Sequence, residues 1–280
     1  MLKQTKPGRL FYADPTHPAH QAKTERQKHV LKAVTDALEH RHAMLAFQPI
    51  YSVSNPNRPA FFEGLFRAMD RTGEIIPAAE FIDLVEAHEI GRRIDCLALE
   101  LGLKTLIQEP GLRLSINMSP RSIGYAPWLD LLKSSLSMDA TLGERLILEI
   151  TEQSAVTMPL EVHRFMTDMQ RLGVTFALDD FGAGFTAFRY LRDLYFDVLK
   201  IDRCFVSGIH RSPDNQVMVD ALLSVARHFD MFTVAEGVEN AEEAEYLTGM
   251  GVDCLQGYHL GKPTITPEWI RRPEPALAAG

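Results

Sequence analysis

Acidic and amide side chains recur near the ends of short apolar runs along this chain. Each run predicts a β-strand, and side chains alternate between the two faces of a strand. In the run Leu146–Thr151, both leucines and Ile150 share the face that must pack on helices, so Glu149 points the other way. The same alternation predicts an inward position for a set of polar residues. They are Glu63, Arg67, Asn117, Glu149, Asp179, Lys200, Asp202, Glu236 and Gln256.

The carboxylates of this set predict a metal site. They are Glu63, Glu149, Asp179, Asp202 and Glu236. Unpaired buried charges of like sign cost more free energy than a small domain can spare. Lys200 and Arg67 cannot neutralise all of them, whereas divalent cations would. Carboxylate and amide oxygens select hard cations, Mg²⁺, Mn²⁺ or Ca²⁺, over zinc.

Asp180 follows Asp179 directly, so strict alternation sends the two carboxylates to opposite faces of the strand. They can share a site only if the strand ends there. The following Phe181-Gly182 favours such an end.

These residues lie on eight candidate strands separated mostly by amphipathic stretches. The strands are Leu45–Ile50, Ala60–Phe66, Leu112–Asn117, Leu146–Thr151, Thr175–Asp180, Asp197–Asp202, Met231–Glu236 and Asp253–Tyr258. Helical patterns include residues 21–43, Phe81–Leu106, Leu160–Leu172, Val217–Phe229 and Ala241–Met250. Eight such units predict an α/β fold, a (β/α)8 TIM-like barrel, whose active site is built at the C-terminal ends of the strands.

The first connection departs from this repeat. Only nine residues separate Ile50 from Ala60, and a parallel crossover needs about a dozen or more. The first strand should therefore be antiparallel to its neighbour. The predicted domains are residues 1–43 as an N-terminal arm and helix, 44–270 as the barrel and 271–280 as a flexible tail.

Charge and cysteine content exclude several classes of protein. The formal net charge is −8 with no long basic run, which argues against binding a nucleic acid polymer. Three cysteines without CxxC spacing favour a reducing compartment over a disulfide framework. No apolar run approaches the roughly 20 residues of a membrane span, and the first residues do not form a signal peptide. A cytoplasmic protein is expected.

Two further patterns offer alternative functions. The segment 182–187 matches the GxGxxG/A pattern of dinucleotide-binding folds and follows a strand, with Asp202 about 20 residues later. However, Asp179 and Asp180 stand where a pyrophosphate would bind and would repel it. The segment 88–92 resembles HExxH, but Arg92 replaces the second histidine, so a solvated helix face is expected.

Taken together, the motifs resemble the EAL domain of cyclic di-GMP phosphodiesterases from about Leu45 to Pro263. In order, they are Phe47-Gln48-Pro49-Ile50, Glu63-Gly64-Leu65-Phe66-Arg67, Asn117-Met118-Ser119, Leu148-Glu149-Ile150-Thr151-Glu152, Asp179-Asp180-Phe181-Gly182-Ala183-Gly184, Lys200-Ile201-Asp202-Arg203, Ala235-Glu236-Gly237-Val238-Glu239 and Gln256-Gly257-Tyr258. Eight motifs in one order are specific, although no single motif is.

The resemblance implies hydrolysis of cyclic di-GMP to linear pGpG with two Mg²⁺ or Mn²⁺ ions. One ion would be held by Glu63, Asn117, Glu149 and Asp179, and the second by Asp179 and Asp180, with Glu236 nearby. Lys200 and Glu236 would be catalytic, with Lys200 holding or deprotonating the attacking water, and Glu152 would brace the loop after Asp180. Substrate would be touched by Gln48, Arg67, Asp202 and Gln256.

The family resemblance also favours a homodimer, with residues Phe181–Phe188 near the partner. The chain departs from the family pattern at Gly64, where alanine is usual, and at residues 184–187, where Gly-Phe-Thr-Ala replaces Gly-Tyr-Ser-Ser. Gly64→Ala is expected to preserve or raise stability, because glycine weakens a strand. The alternative function is a catalytically weak EAL-type module that senses cyclic di-GMP or docks a partner.

Overall fold

The computed structural model describes residues 18–85, 88–155, 157–182 and 191–270. The strands are β1 (Ala43–Ser52), β2 (Asn55–Met69), β3 (Ile75–Ile76), β4 (Leu114–Asn117), β5 (Leu146–Thr151), β6 (Thr175–Phe181), β7 (Val198–Ile201), β8 (Phe232–Ala235) and β9 (Cys254–Gln256). The helices are α1 (Pro18–Glu39), α2 (Ile82–Val85), α3 (Glu89–Gln108), α4 (Ala126–Met138), α5 (Glu152–Ala155), α6 (Pro159–Gln170), α7 (Arg203–Val206), α8 (Pro213–His228) and α9 (Ala241–Met250).

The strands close into a barrel. Its order is β1-β9-β8-β7-β6-β5-β4-β2, and β1 pairs with β2 to complete the ring. Strand β1 is antiparallel to both β2 and β9, whereas the pairs from β2 through β4 to β9 are parallel. The short strand β3 adds to the end of β2 outside the ring. The predicted TIM-like barrel with an antiparallel first strand is therefore confirmed.

The outward faces of the strands form the main hydrophobic core with the surrounding helices. Leu114, Leu148, Phe176 and Leu199 are fully buried there. The β1–β2 hairpin has no crossover helix, and Trp269 covers part of it. The Trp269 ring meets the rings of Phe47 and Phe62 edge-on, with centroids 5.3 and 4.5 Å away.

Inside the barrel, apolar side chains form a layer below the predicted site residues. This lower layer consists of Ile50, Phe61, Ile147, Ala177, Val198, Val234 and Cys254. Each member lies two positions along its strand from a polar residue, as Val198 does from Lys200 and Val234 from Glu236. Residues two apart on a strand face the same side. The lower layer therefore supports the polar layer from the N-terminal side of the barrel.

The helices differ from the sequence prediction in several places. The single helix expected over Phe81–Leu106 is divided into α2 and α3, and α4, α5 and α7 were not among the predicted helices. Helix α1 packs Val30 and Val34 in a separate core with Phe81 of the segment before α2. Among the described residues, no helix is both long and apolar enough to cross a bilayer.

Candidate metal centre

Lys200 lies at the centre of the barrel, surrounded by carboxylates. Its Nζ atom is 2.7 Å from Glu149 Oε2, 2.8 Å from Glu236 Oε1 and 3.0 Å from Asp179 Oδ1. Glu63 Oε2 is more distant, at 3.6 Å. The Lys200 side chain is 1% exposed. The inward positions predicted for these residues thus bring four carboxylates around one ammonium group.

Glu63 is held by amide donors on neighbouring strands. Asn117 Nδ2 donates to Glu63 Oε1 at 2.9 Å, and Gln256 Nε2 donates to Glu63 Oε2 at 2.6 Å. Gln256 Nε2 also reaches Gln48 Oε1 at 3.2 Å, and Gln48 Nε2 donates to the Gly261 carbonyl at 3.1 Å. This network places four of the predicted site residues in one connected group, although they come from four different strands.

Asp179 and Asp180 share the site because of an irregularity within β6, not because the strand ends there. Strand β6 does not end at Asp180 but continues to Phe181. Its pairing with β7 shifts register between Leu178 and Phe181, and Asp180 has a left-handed backbone with φ of 54°. Such a bulge places an extra residue in one strand and redirects side chains. One oxygen each of Asp179, Asp180 and Glu236 lies within 4.8 Å of the others.

Burial and crowding change the protonation of the carboxylates. Burial, with the charges of Glu63 and Asp179, raises the pKa of Glu149 to about 8 despite the attraction of Lys200. Burial and the charges of Asp179 and Asp202 raise the pKa of Asp180 to about 6. The pKa of Glu236 is also raised well above its usual value, chiefly by burial.

The pKa values of Glu63 and Lys200 shift in the directions that favour the charged form of each group. Burial opposes ionisation of Glu63, but Lys200 and the two amide donors outweigh it and lower its pKa. Burial likewise opposes the charge on Lys200, but the surrounding carboxylates outweigh it and raise its pKa well above the usual value. Lys200 is therefore an ammonium group that neutralises part of the site.

The donor set fits hard divalent cations. Four carboxylates surround one ammonium, so the centre carries excess negative charge. Glu149 Oε1 is buried without a hydrogen-bond partner, and Asp179 Oδ1 is buried with only the ion pair to Lys200. Buried acceptors without donors are rare in folded proteins. Oxygen ligands of this kind suit Mg²⁺ or Mn²⁺.

The remaining predicted site residues are the buried Glu152 and the partly buried Arg67 and Asp202. Glu152 Oε2 accepts a hydrogen bond from the Gly182 amide at 2.9 Å, which anchors the backbone after Asp180. Arg67 is half-buried and donates to the Phe66 carbonyl at 3.0 Å. Asp202 Oδ1 accepts from the Cys204 amide at 2.8 Å and caps α7.

A cavity of about 500 Å³ opens beside the metal centre. Arg67, Asn117 and Asp180 line it on the barrel side. Phe81, from the segment before α2, and Ile94 of α3 also line it. Phe81 and Ile94 were not predicted as site residues, because their helical pattern gives no local sign of a binding role. Only their proximity to Asn117-Met118-Ser119 in the folded chain connects them to the site.

The segment proposed to contact a partner subunit lies largely outside the described residues. Residues 183–190, which include Phe185, Phe188 and most of the GxGxxG/A pattern, belong to this part. Phe181 is described, and it is 0% exposed in the main core. Phe181 therefore does not present its ring to a partner subunit, because the side chain packs in the main core between the strands and the helices.

The chain is similar to proteins of one family along most of its length. Cyclic di-GMP phosphodiesterase PdeB of Shewanella oneidensis is 29% identical over 250 residues, covering 88% of this chain and 29% of that protein. Cyclic di-GMP phosphodiesterase PdeF of Escherichia coli is 30% identical over 250 residues, covering 88% of this chain and 33% of that protein. The chain thus spans about a third of the length of these relatives.

Solved structures agree in fold. The PaMucR phosphodiesterase in complex with c-di-GMP superposes with a TM-score of 0.72 at 29% identity, covering 84% of this chain and 97% of the other. The FimX EAL domain of Xanthomonas citri gives a TM-score of 0.77 at 24% identity, covering 89% of this chain and 99% of the other, which supports the fold alone. The family model of the EAL domain matches residues 31–263. With most of its length matched and the barrel and acidic centre in place, the chain belongs to the EAL domain family.

Proposed function

We propose that this chain hydrolyses cyclic di-GMP to linear pGpG with two Mg²⁺ or Mn²⁺ ions. The observation that carries the proposal is the set of four carboxylates around the buried Lys200 ammonium. A domain that only binds the nucleotide would have no need for this concentration of charge, which costs free energy without cations. The names of the relatives support the same substrate.

The proposed ligands form two groups. Glu63, Asn117, Glu149 and Asp179 would hold one cation. Asp179, Asp180 and Glu236, which lie close enough to ligate one ion together, would hold the other. When bound, two such cations lower the pKa of a water molecule and stabilise the charge on the attacking and leaving oxygens.

The chain's own residues would bind and orient the reactants. Lys200 Nζ, held as an ammonium, donates to the attacking water or to a phosphate oxygen. Attack by water on phosphorus forms one P–O bond and breaks the bond to the 3′ oxygen, which takes a proton, so cyclic di-GMP and water give pGpG. The attacking water loses a proton, and Glu236, whose Oε1 lies 2.8 Å from Lys200 Nζ, would accept it and pass it toward the 3′ oxygen.

Substrate positioning is assigned to residues at the edges of the centre. Arg67 lies in the cavity of about 500 Å³ beside Asp180, where a guanidinium can pair with a phosphate while a base enters the cavity. Gln48 and Gln256 would present amide groups to the substrate from the other side. Asp202 would act from the rim, where it also caps α7.

Chromatography of cyclic di-GMP after incubation with the protein tests the proposal. Conversion to pGpG is expected with Mn²⁺ or Mg²⁺ and should stop in excess chelator. Lys200→Ala is expected to bind the nucleotide without converting it. Binding by the natural chain with no conversion under any metal condition would identify it as a sensor of cyclic di-GMP and overturn the proposal.

We also propose that the protein works as a homodimer in the cytoplasm. The described cysteines are all free thiols, which is consistent with a reducing compartment. Sedimentation at micromolar concentration tests the dimer, and a fully active monomer would contradict it.

A further inference from the structure

A second cavity opens at the N-terminal mouth of the barrel, at the end opposite the metal centre. Its volume is about 660 Å³, which lies within the range of small-molecule sites. Its floor is the lower layer, represented by Phe61, Ile147, Val198, Val234 and Cys254. The floor is therefore an apolar surface inside the barrel, and its residues are 1–9% exposed.

The mouth of this cavity carries mostly acidic charge. Among the described residues that line it are the carboxylates of Glu144, Asp197 and Asp253 and one guanidinium, that of Arg113. Asp197 accepts from the Phe176 amide at 2.8 Å, and Asp253 accepts from the Thr233 amide at 2.8 Å. These bonds fix the carboxylates in place at the ends of the strands. The Gln170 amide and the Thr233 hydroxyl donate to the same Oδ2 atoms of Asp197 and Asp253, at 3.2 and 2.7 Å. Neutral donors hold both carboxylates, which therefore keep their charge beside the cavity.

An exposed aromatic ring also borders the opening. Phe232 is 65% exposed although it begins strand β8, and it lines the same cavity. A large apolar side chain at such a position loses stabilisation unless something covers it. The apolar floor and the aromatic edge are complementary to an apolar ligand body, and the acidic mouth is complementary to a positive charge.

We propose that the N-terminal mouth of the barrel is a second ligand site, which takes a small amphipathic amine. The apolar body of the ligand packs on the lower layer and Phe232. Its protonated amine lies at the mouth beside Asp197 and Asp253. An anionic ligand of the same shape is disfavoured, since carboxylates outnumber the one guanidinium.

The lower layer connects this site to the metal centre. Val198 is two residues before Lys200 on β7, and Val234 of β8 is two residues before Glu236, which directly follows that strand. Two residues of a strand correspond to a rise of about 6.6 Å. A ligand that displaces the lower layer therefore shifts the side chains that hold the polar layer. This regulatory effect rests on the proposed function, whereas binding at the mouth does not.

Cys254 provides a test of binding that does not require activity. The residue is 8% exposed at the floor of the cavity, and burial, with the charge of Asp253, raises the pKa of its thiol to about 11. Peptide mapping by mass spectrometry would follow alkylation of Cys254 at pH 8.5 in the full chain. 2-(1-Naphthyl)ethylamine is the probe and 1-naphthaleneacetic acid its charge-reversed control. The amine is expected to slow alkylation of Cys254 at least fivefold at saturation, with little effect on the exposed Cys204 or from the acid.

A matched pair of variants locates the site. Phe232→Ala should weaken binding of the naphthyl amine at least threefold by calorimetry. Ile107→Ala, which removes an exposed side chain from α3, should leave it unchanged. No saturable binding, equal protection by the acid, or equal effects of the two variants would overturn the second site.

Turnover separates this inference from the proposed function. Saturating amine is expected to change the rate of pGpG formation at least twofold in the natural chain. Protection of Cys254 with an unchanged rate supports the site and overturns its coupling to the metal centre. Protection of Cys254 in a chain that forms no pGpG supports the site while the proposed function fails.

Discussion

Lys200 Nζ and Glu149 Oε2 lie 2.7 Å apart at the centre of the barrel, although 51 positions separate them in the chain. Both side chains are buried, with 1% and 0% exposure. Their strands, β7 and β5, are not neighbours, since β6 lies between them. The contact therefore exists only because the closed barrel turns three successive strands toward one lumen.

Lys200→Ala should destabilise the metal-free protein more than the Mn²⁺-loaded protein. Removing one partner of a buried ion pair typically costs about 3–5 kcal/mol, because the other charge stays buried. Mn²⁺ would supply the missing positive charge. Urea unfolding with chelator and with Mn²⁺ measures the difference, and Lys133→Ala on the exposed face of α4 is the control. An equal loss of stability with chelator and with Mn²⁺ would contradict the idea that Lys200 and the metal ion both neutralise the carboxylates.

The stability of the metal-free protein should fall as pH rises from about 5 to 8. The pKa of Glu149 is about 8 in the folded protein, against a usual value of 4.5. The folded state therefore keeps a proton that the unfolded chain releases above pH 4.5. This stabilisation is complete below the unfolded value and is lost as pH approaches the folded value.

Urea titrations in chelator at several pH values measure this slope, which is at most roughly 1.4 kcal/mol per pH unit for each retained proton. Glu149→Gln mimics the protonated acid and should flatten the dependence. If the unfolding free energy of the variant depends on pH as steeply as that of the natural chain, Glu149 is not the source of the pH dependence. Metal binding should strengthen over the same range, because ligating carboxylates must lose their protons.

Asp180→Asn should lower the number of bound Mn²⁺ ions from two to one per chain. Asp180 lies with Asp179 and Glu236 in a group that can ligate one ion, and an amide oxygen is a weaker ligand than a carboxylate. Equilibrium dialysis with elemental analysis counts the ions. Asp193→Asn, at an exposed carboxylate, is the control. Two tightly bound ions in Asp180→Asn would exclude Asp180 from the ligand set.

Glu152→Ala should reduce kcat at least tenfold, whereas Glu152→Gln should retain more activity. Glu152 accepts a hydrogen bond from the Gly182 amide at 2.9 Å. Gly182, two residues after the left-handed Asp180, itself has a φ of 95°. The glutamine oxygen can still accept this bond, whereas alanine leaves the turn without its anchor. Steady-state kinetics across Mn²⁺ concentrations checks whether kcat decreases from the natural chain to Glu152→Gln and further to Glu152→Ala. A fall in thermal stability with unchanged metal dependence of kcat would indicate a purely structural residue.

Gly64→Ala should lower the free energy of unfolding by roughly 1–3 kcal/mol, the usual cost of overpacking. A Cβ at Gly64 would lie 2.7 Å from Ile116 Cδ1 and 3.3 Å from the Ser115 carbonyl oxygen. Because of this contact we expect Gly64→Ala to lower stability, whereas strand propensity alone predicted that stability would be preserved or raised. Ile116→Val removes Cδ1, so the double variant should be more stable than the sum of the single changes predicts. Additive losses in a double-mutant cycle would contradict the clash.

Much of the candidate site follows from local sequence pattern. The faces of Glu149 and Lys200 are fixed by alternation with leucine and isoleucine, because a strand has only two faces and the helices require the apolar one. The short link between β1 and β2 likewise forced an antiparallel pair, since so few residues cannot carry a crossover. Fold class and the inward acidic set could therefore be predicted from the residues.

Other features depended on the tertiary structure. Asp179 and Asp180 meet through a bulge that the pairing of β6 with β7 creates, and no pattern of residue types marks it. Asp202 has the same inward phase as Lys200, yet it caps α7, because the backbone turns immediately after β7. Alternation along a strand is a local property, so it determines which face a side chain takes. The partner that the side chain meets there depends on barrel closure and backbone torsions, which residues distant in the sequence decide.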